Sequence, residues 1–160
     1  RPSIYDLNDV NVATIIHTIS SEIKELEGFD HDVETSIDAR TRALGIPDEI
    51  YSAINNLITN AVRYTPAGGR ISIRWRKHGN ACLFEVTDTG PGIANEHLQH
   101  LTERFYRVDT PRIAKSGGTG LGLAIVKHIL LRHESTLRIN SILGEGSTFG
   151  FTLPSSKSAI

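Results

Sequence analysis

The stretch AKSGGTGLGLAIV, from Ala114 to Val126, places four glycines immediately before an apolar helical pattern. Glycine lets backbone N–H groups approach an anion closely, and the N-terminus of the helix that follows adds a favourable dipole. The pattern therefore predicts a loop that cradles phosphate groups. Taken alone, the stretch is also compatible with a plain glycine-rich connector.

A second glycine-rich stretch, DTGPGI from Asp88 to Ile93, follows the apolar run ACLFEV. The run predicts a strand that ends at Asp88. A carboxylate at a strand end is placed to accept hydrogen bonds from a flat polar ligand, and the glycines bring the backbone close to that ligand. The same residues make a good turn, and for this stretch alone both interpretations stay open.

A helix is predicted upstream, beginning at Pro47 and Asp48 and ending before Pro66. Its apolar residues repeat at helical spacing and predict a buried face. Its polar residues fall at i, i+4, i+7 and i+8 and therefore share another face; they are Asn56, Asn60, Arg63 and Tyr64. Asparagine oxygen suits Mg²⁺, which takes its remaining ligands from water and substrate phosphates. A solvated polar face is the alternative for each residue singly.

These segments resemble the N, G1 and G2 boxes (NLITNA, DTGPGI and GTGLGL) of the Bergerat ATP-binding fold. That fold is shared by histidine kinases, type II topoisomerases, Hsp90-type chaperones and MutL-type repair proteins. ERFYRVD, from Glu103 to Asp109, resembles the F box of the histidine kinases, and GEGSTF, from Gly144 to Phe149, resembles the last glycine box. LTERFYRVD, GLAIVKHILLRHES and the tryptophan in ISIRWRK are similar to the phosphate-regulon type of sensor kinase.

Asn56 separates the branches of this superfamily. The ATPase branches carry a glutamate at the corresponding position, one helical turn before the metal-binding asparagine, as the general base on water. A neutral amide cannot act as that base, so the resemblance implies a kinase that hydrolyses ATP poorly. Two alternatives remain: an ATPase module of the same superfamily, and a serine kinase of the anti-sigma type, which lacks a full F box.

The resemblance implies a base pocket around Asp88. Asp88 accepts the adenine amino hydrogen, with Ser147 assisting through water, and Tyr64 lies against the base. Three residues of the G1 box shape this pocket and one residue of the G2 box closes it: Gly90, Gly92, Ile93 and Leu121.

The resemblance also implies the metal and phosphate contacts. Asn60 ligates Mg²⁺, and Asn56 lies close to the phosphates. Three further side chains reach phosphates or sugar: Arg63, Tyr106 and Arg107. The glycine loop gives backbone contacts to the phosphates through Gly118, Thr119, Gly120 and Gly122. Residues 95–118 form an ATP lid, on which Arg104, Arg107, Arg112 and Lys115 are candidates for the γ-phosphate. For Arg112 and Lys115 we favour plain loop solubility.

No histidine of this chain is expected to accept the phosphoryl group. An acceptor normally reads His-Glu followed by Thr/Ser-Pro, and only His133 is followed by Glu, on the way into a strand. We interpret His133 as structural, and His128 and His133 as surface or cap residues. The resemblance implies two partners: a histidine-bearing dimerisation domain of the same kinase, and a response regulator. It also implies a cytoplasmic domain whose parent is anchored in the inner membrane.

The order of predicted elements favours an α/β fold. We expect a two-layer sandwich in which three main helices cover one face of a mixed sheet of about five strands. The first helix is expected over Val12–Leu26, with Asp9 or Asn11 as its cap. The 160 residues suffice for a single domain, and we expect residues 155–160 to be a frayed tail.

Composition limits the function classes. The formal net charge of −1 gives no sign of a nucleic-acid or membrane-binding surface. The single cysteine, Cys82, excludes an internal disulfide and is expected to be buried. The chain has no methionine and no apolar stretch of transmembrane length, and we expect it to be an excised fragment.

Overall fold

The computed structural model describes residues 7–108 and 120–156. In chain order the elements are β1 (Asn8–Val10), α1 (Val12–Ile23), β2 (Asp32–Ile37), β3 (Ala43–Gly45), α2 (Pro47–Tyr64), β4 (Arg70–His78), β5 (Ala81–Asp88), α3 (Asn95–Leu98), α4 (Gly122–Arg132), β6 (Arg138–Ile142) and β7 (Gly146–Pro154).

The main sheet has five strands in the order β2-β4-β5-β7-β6. β2 runs parallel to β4, and the other neighbouring pairs are antiparallel. The sheet is therefore mixed, and the predicted fold class is confirmed. The two-stranded sheet that β1 and β3 form was not predicted, because three-residue strands carry little pattern.

One face of the sheet is buried under the helices. In β4 the residues Ile71, Ile73 and Trp75 are at most 1% exposed. The rings of Phe84 on β5 and Phe151 on β7 lie on the same core side, with centroids 5.3 Å apart. Helix α2 contacts α1, α4 and β5, so it lies at the centre of the helical layer and is the rigid support for the residues on its polar face.

Helix α2 begins and ends as its sequence predicts. Pro47 stands in its first turn, where a missing N–H costs nothing, and Asp48 and Glu49 complement the helix dipole there. The helix ends at Tyr64, and the N–H of Thr65 still bonds the Ala61 carbonyl.

Helix α1 is shorter than the apolar pattern predicts. It ends at Ile23 rather than continuing to Leu26, which is 44% exposed. At its other end the Oδ1 atom of Asn11 accepts a hydrogen bond from the N–H of Thr14 at 3.2 Å, so Asn11 rather than Asp9 is the cap.

The expectation of a frayed tail is wrong for its first two residues. Ser155 pairs with Ala43 as an isolated bridge, and the N–H of Ser156 donates to the Arg42 carbonyl at 3.0 Å. Both serines are buried, because this backbone pairing extends the sheet contacts beyond the last strand. Residues 157–160 lie outside the described part of the chain.

The expected lid starts with structure of its own. Its first four residues form helix α3, turns follow as far as residue 105, and residues 106–108 are irregular. Residues 109–118 of the expected lid are not among the described residues. None of the described helices is long and apolar enough to cross a membrane.

Candidate functional site

A cavity of about 240 Å³ lies between the polar face of α2 and the start of α4. It brings together most of the residues that the sequence assigns to metal and phosphate contacts. Its lining consists of Asn56, Asn60, Arg63, Tyr64, Leu101, Tyr106, Arg107, Gly120, Leu121, Gly122, Leu123 and Ile125. The helical spacing of the α2 residues and the glycines before α4 therefore converge on one space.

The Asn56 side chain is held by its own helix. Its Nδ2 atom donates to the Ser52 carbonyl at 2.8 Å, a bond that leaves Oδ1 directed toward the glycine loop. A Cβ atom on Gly122 would stand 2.9 Å from that oxygen, so the backbone at the start of α4 packs directly on Asn56. Asn56 thus joins the two helices that form the cavity.

Asn60 lies one turn further along α2 and, unlike Asn56, is not held by a hydrogen bond from its amide nitrogen to any described residue. Its Nδ2 atom is buried and has no hydrogen-bond partner among the described residues. A buried amide nitrogen without a partner is costly in a folded protein. A ligand that accepts a hydrogen bond in the cavity would remove that cost.

Positive charge surrounds the phenol of Tyr64. Burial raises the pKa of Tyr64, although the nearby Arg107 and Arg63 guanidinium groups act to lower it, and the Asp88 charge also acts to raise it. Two arginines in its lining make the cavity suitable for an anion such as a polyphosphate.

Asp88 ends strand β5 and is only 4% exposed. Its Oδ1 atom accepts a hydrogen bond from the N–H of Gly90 at 2.9 Å, and the Ser147 backbone bonds the same carboxyl group. Burial raises the pKa of Asp88 despite these two hydrogen bonds, which act in the opposite direction. A carboxylate held in this way keeps unused acceptor capacity for a ligand.

The Asp88 group lies beside the cavity rather than in its lining. Asp88 and Ser147 line a separate depression, about 200 Å³ in volume, near the β6–β7 turn. Gly90 packs between Tyr64 and Asp88, since a Cβ atom there would stand 2.8 Å from the Tyr64 carbonyl oxygen and 2.9 Å from Oδ1 of Asp88. Gly92 packs against the Ile142 carbonyl, and Ile93 is 4% exposed.

Ser141 is a residue of this region that the sequence analysis missed. Its Oγ atom accepts a hydrogen bond from the N–H of Ile93 at 2.7 Å and lies 2.7 Å from the Oγ atom of Ser147. Ser141 lies opposite Ser147 in the β6–β7 register. The alternation of side chains along these two strands was the sequence signal that could have placed Ser141 beside Ser147. Ser141 ties the G1 segment to the strand beside Asp88.

Apolar residues of the cavity wall were missed as well. Leu101, Leu123 and Ile125 line the cavity, and Leu101 is 2% exposed. Their helical or turn positions gave no sign that they contribute to a site.

Some of the F-box candidates line the cavity and others do not. Tyr106 and Arg107 line the cavity, and the Tyr106 hydroxyl is hydrogen-bonded to Nδ1 of His97. The guanidinium of Arg104 lies over the Phe105 ring, 5.4 Å from its centroid, and Arg104 is not part of the cavity wall. Four other candidates lie outside the described residues: Arg112, Lys115, Gly118 and Thr119.

His133 has a structural role, as the sequence predicts, because both of its ring nitrogens are engaged within the protein. It is 8% exposed at the C-terminal cap of α4. Its Nε2 atom accepts a hydrogen bond from the N–H of Ile46 at 3.0 Å, and its Nδ1 atom lies 2.8 Å from the Ile129 carbonyl oxygen. His128 is exposed on the same helix.

Within residues 7–108 and 120–156, no cluster of three or more His, Cys, Asp or Glu side chains could hold a metal ion. A divalent cation at this site would therefore depend on amide oxygen and on oxygens of the ligand itself.

A family profile and individual relatives both place the chain among proteins related to histidine kinases. The profile described as "Histidine kinase-, DNA gyrase B-, and HSP90-like ATPase" matches residues 45–157. The phosphate regulon sensor protein PhoR of Pseudomonas aeruginosa is 44% identical over 145 residues, which cover 90% of this chain and 33% of that protein. The sensor-like histidine kinase SenX3 of Mycobacterium tuberculosis is 41% identical over 150 residues, or 93% of this chain and 37% of that protein. The chain thus spans about a third of the length of these relatives.

Solved structures share the fold. The mycobacterial sensor histidine kinase MprB superposes with a TM-score of 0.77 at 26% identity, covering 92% of this chain and 97% of that chain. The catalytic domain of the histidine kinase ThkA superposes with a TM-score of 0.74 at 23% identity, again over 92% of this chain and 97% of that chain.

Proposed function

The chain belongs to the family of histidine kinase-, DNA gyrase B- and HSP90-like ATPases, and on that premise we propose that it is the ATP-binding catalytic domain of a two-component sensor kinase. It binds Mg-ATP and presents the γ-phosphate to a histidine on a separate dimerisation domain. The observation that carries this proposal is the cavity in which the polar face of α2 meets the glycine-flanked start of α4.

The two neighbouring spaces divide the nucleotide between them. The buried carboxylate of Asp88, beside Gly90, Gly92 and Ile93, takes the adenine amino group, and the arginine-lined cavity takes the phosphates. Tyr64 is close to both groups: its side chain lines the cavity, and its carbonyl oxygen lies against Gly90, which packs next to Asp88. This division supports the expected contact between Tyr64 and the base.

The site suits Mg²⁺ through Asn60. The Nδ2 atom of Asn60 is buried without a partner among the described residues, so its carboxamide is not held through that nitrogen. A phosphate oxygen would accept from this nitrogen while the amide oxygen binds the metal, so one Mg-phosphate ligand engages both ends of the amide. A Mg²⁺ ion held by Asn60 would supply positive charge to offset the negative charge that develops on the phosphates during transfer.

The chain's own residues position the nucleotide rather than activate water. The Nδ2 atom of Asn56 is already donating to Ser52, and its amide cannot accept a proton at neutral pH. Arg63 and Arg107 offset phosphate charge from one wall. Water in the cavity is therefore not activated, and the phosphoryl group is kept for a histidine nucleophile supplied by another domain.

Relatives suggest the setting in which this transfer takes place. PhoR and SenX3 are named as a phosphate regulon sensor and a sensor-like histidine kinase. We extend this to the present chain: its parent senses phosphate, is anchored in the inner membrane, and passes the phosphoryl group to a response regulator.

Calorimetric titration of the purified chain tests the proposal. We expect binding of ATP and ADP in the presence of Mg²⁺, and much weaker binding of GTP, whose base presents a carbonyl where adenine presents an amino group. Replacement of Mg²⁺ by EDTA is expected to weaken ATP binding more than it weakens adenosine binding. Equal affinity for ATP and GTP, or no binding of either, would contradict the proposal.

A further inference from the structure

Tyr106 lines the cavity, and two residues outside the cavity hold its side chain in place. The Tyr106 hydroxyl is hydrogen-bonded to Nδ1 of His97, which lies on α3 and does not line the cavity. The rings of Tyr106 and His100 stack with centroids 5.3 Å apart and an interplanar angle of 28°. The hydroxyl is thus engaged by protein, and the Tyr106 ring is fixed on the cavity wall.

Each imidazole has a defined hydrogen-bond partner. In the tautomer with its hydrogen on Nε2, Nδ1 of His97 accepts from the Tyr106 hydroxyl. Nδ1 of His100 lies 2.7 Å from Oε1 of Glu103, which fixes the second ring in its stacking position.

The backbone just before Tyr106 is strained. Phe105 has a φ of 67°, in the left-handed region that a non-glycine residue rarely adopts. Such a conformation persists only where surrounding contacts determine it. Two contacts do so here: the N–H of Phe105 donates to the Gly120 carbonyl at 2.9 Å, and the next side chain is bound to His97.

Helix α3 is attached to the core at its end and in the turn that follows it. Leu98 packs against the core, and Leu101, in the turn that follows α3, is 2% exposed. His97 stands one residue before Leu98 and is itself 31% exposed at the side chain. The His97–Tyr106 hydrogen bond therefore joins a core-anchored element to the strained segment that carries Tyr106 and Arg107.

We infer that His97 is a positioning residue for the nucleotide: it holds Tyr106, and with it the adjoining Arg107, on the cavity wall before ATP arrives. This inference rests on the proposed function, since the cavity must be the phosphate side of an ATP site. Without the hydrogen bond, the segment is free to leave the strained conformation, and ordering it again opposes binding. His97 acts through Tyr106 and need not touch the nucleotide.

A set of variants tests this inference by calorimetric titration with Mg-ATP. His97→Leu removes the imidazole at similar bulk, and Tyr106→Phe removes only the hydroxyl. We expect each to weaken Mg-ATP binding by about three- to tenfold, the factor for one hydrogen bond of ordinary net strength. The double variant is expected to bind no more weakly than the poorer single variant, because both changes remove the same contact.

A conservative variant separates positioning from folding. Asn places a polar atom where His97 carries Nδ1, so His97→Asn is expected to bind Mg-ATP within about twofold of the native chain. His78→Leu, at an exposed histidine on the β4–β5 hairpin, is the matched control and should bind as the native chain does.

The outcomes separate the inference from the proposed function. Native-like affinity in His97→Leu, or multiplying losses in the double variant, would overturn the role of His97 while ATP binding by the native chain still stands. A native chain that binds no ATP would overturn the proposed function and this inference together.

Discussion

The Oδ1 atom of Asn56 lies 2.9 Å from the position that a Cβ atom on Gly122 would occupy. The amide of Asn56 cannot rotate away without losing its bond to the Ser52 carbonyl. An alanine at the start of α4 would therefore have to displace the Asn56 amide across the cavity. This packing is one of the contacts between the two helices that form the site.

Gly122→Ala is expected to weaken Mg-ATP binding by about tenfold, because an overpacked contact costs on the order of 1–3 kcal/mol and shifts its surroundings. Calorimetric titration measures the loss. In melting experiments, Asn56→Ala combined with Gly122→Ala should be less destabilised than the sum of the two single variants, since the clash is then gone. Unchanged affinity in Gly122→Ala would show that the cavity does not depend on this contact.

Asp88→Asn is expected to lower the affinity for ATP by about tenfold to a hundredfold, the range for a buried hydrogen bond to a charged group. The amide presents a donor where the adenine amino group needs an acceptor. Titration with ATP and with tripolyphosphate measures the effect, and tripolyphosphate binding should be unchanged because Asp88 lies outside the phosphate cavity. A similar loss for both ligands would mean that Asp88 supports the fold rather than the base.

The same variant should change how stability depends on pH. Burial raises the pKa of Asp88 in the folded chain above its unfolded value. The stability associated with this group is then fully present below the unfolded pKa and is lost as pH rises through the folded pKa. Asn does not titrate, so the melting temperature of Asp88→Asn relative to the native chain should be higher at pH 7 than near pH 4. A difference in melting temperature between the variant and the native chain that is the same at both pH values would contradict the raised pKa of Asp88.

ATP turnover by the isolated chain is expected to be slow, with kcat below about 1 s⁻¹, the lower end of ordinary enzyme rates. The reason is Asn56, which offers no base for water and is bonded to its own helix. A phosphate-release assay at saturating Mg-ATP measures this rate. Efficient turnover would favour the ATPase alternative instead.

Much of the site could be predicted because its residues sit on regular elements. The i, i+4, i+7 and i+8 spacing from Asn56 to Tyr64 requires only that α2 is a helix, and its apolar face establishes that. Asp88 was predictable because the apolar run before it gives a strand with a definite end.

Contacts between distant segments could not be predicted from local pattern. The bond between Ser141 and Ile93 joins positions 48 residues apart, and the His97–Tyr106 contact depends on how a short helix folds back on a turn. Ser155 and Ser156 look like a polar tail, and only their pairing with the segment at Arg42 and Ala43 buries them. Such contacts depend on tertiary placement, which periodicity does not encode.

Phosphoryl transfer from radiolabelled ATP shows whether this chain passes the γ-phosphate to a histidine on a separate domain. The chain is incubated with Mg-ATP labelled at the γ-phosphate, alone and with a separately purified histidine-bearing dimerisation domain of its parent. We expect acid-labile label on the added domain and none on the chain, since both nitrogens of the buried His133 are engaged. Stable label on the chain alone, or no label on the added domain despite ATP binding, would contradict it.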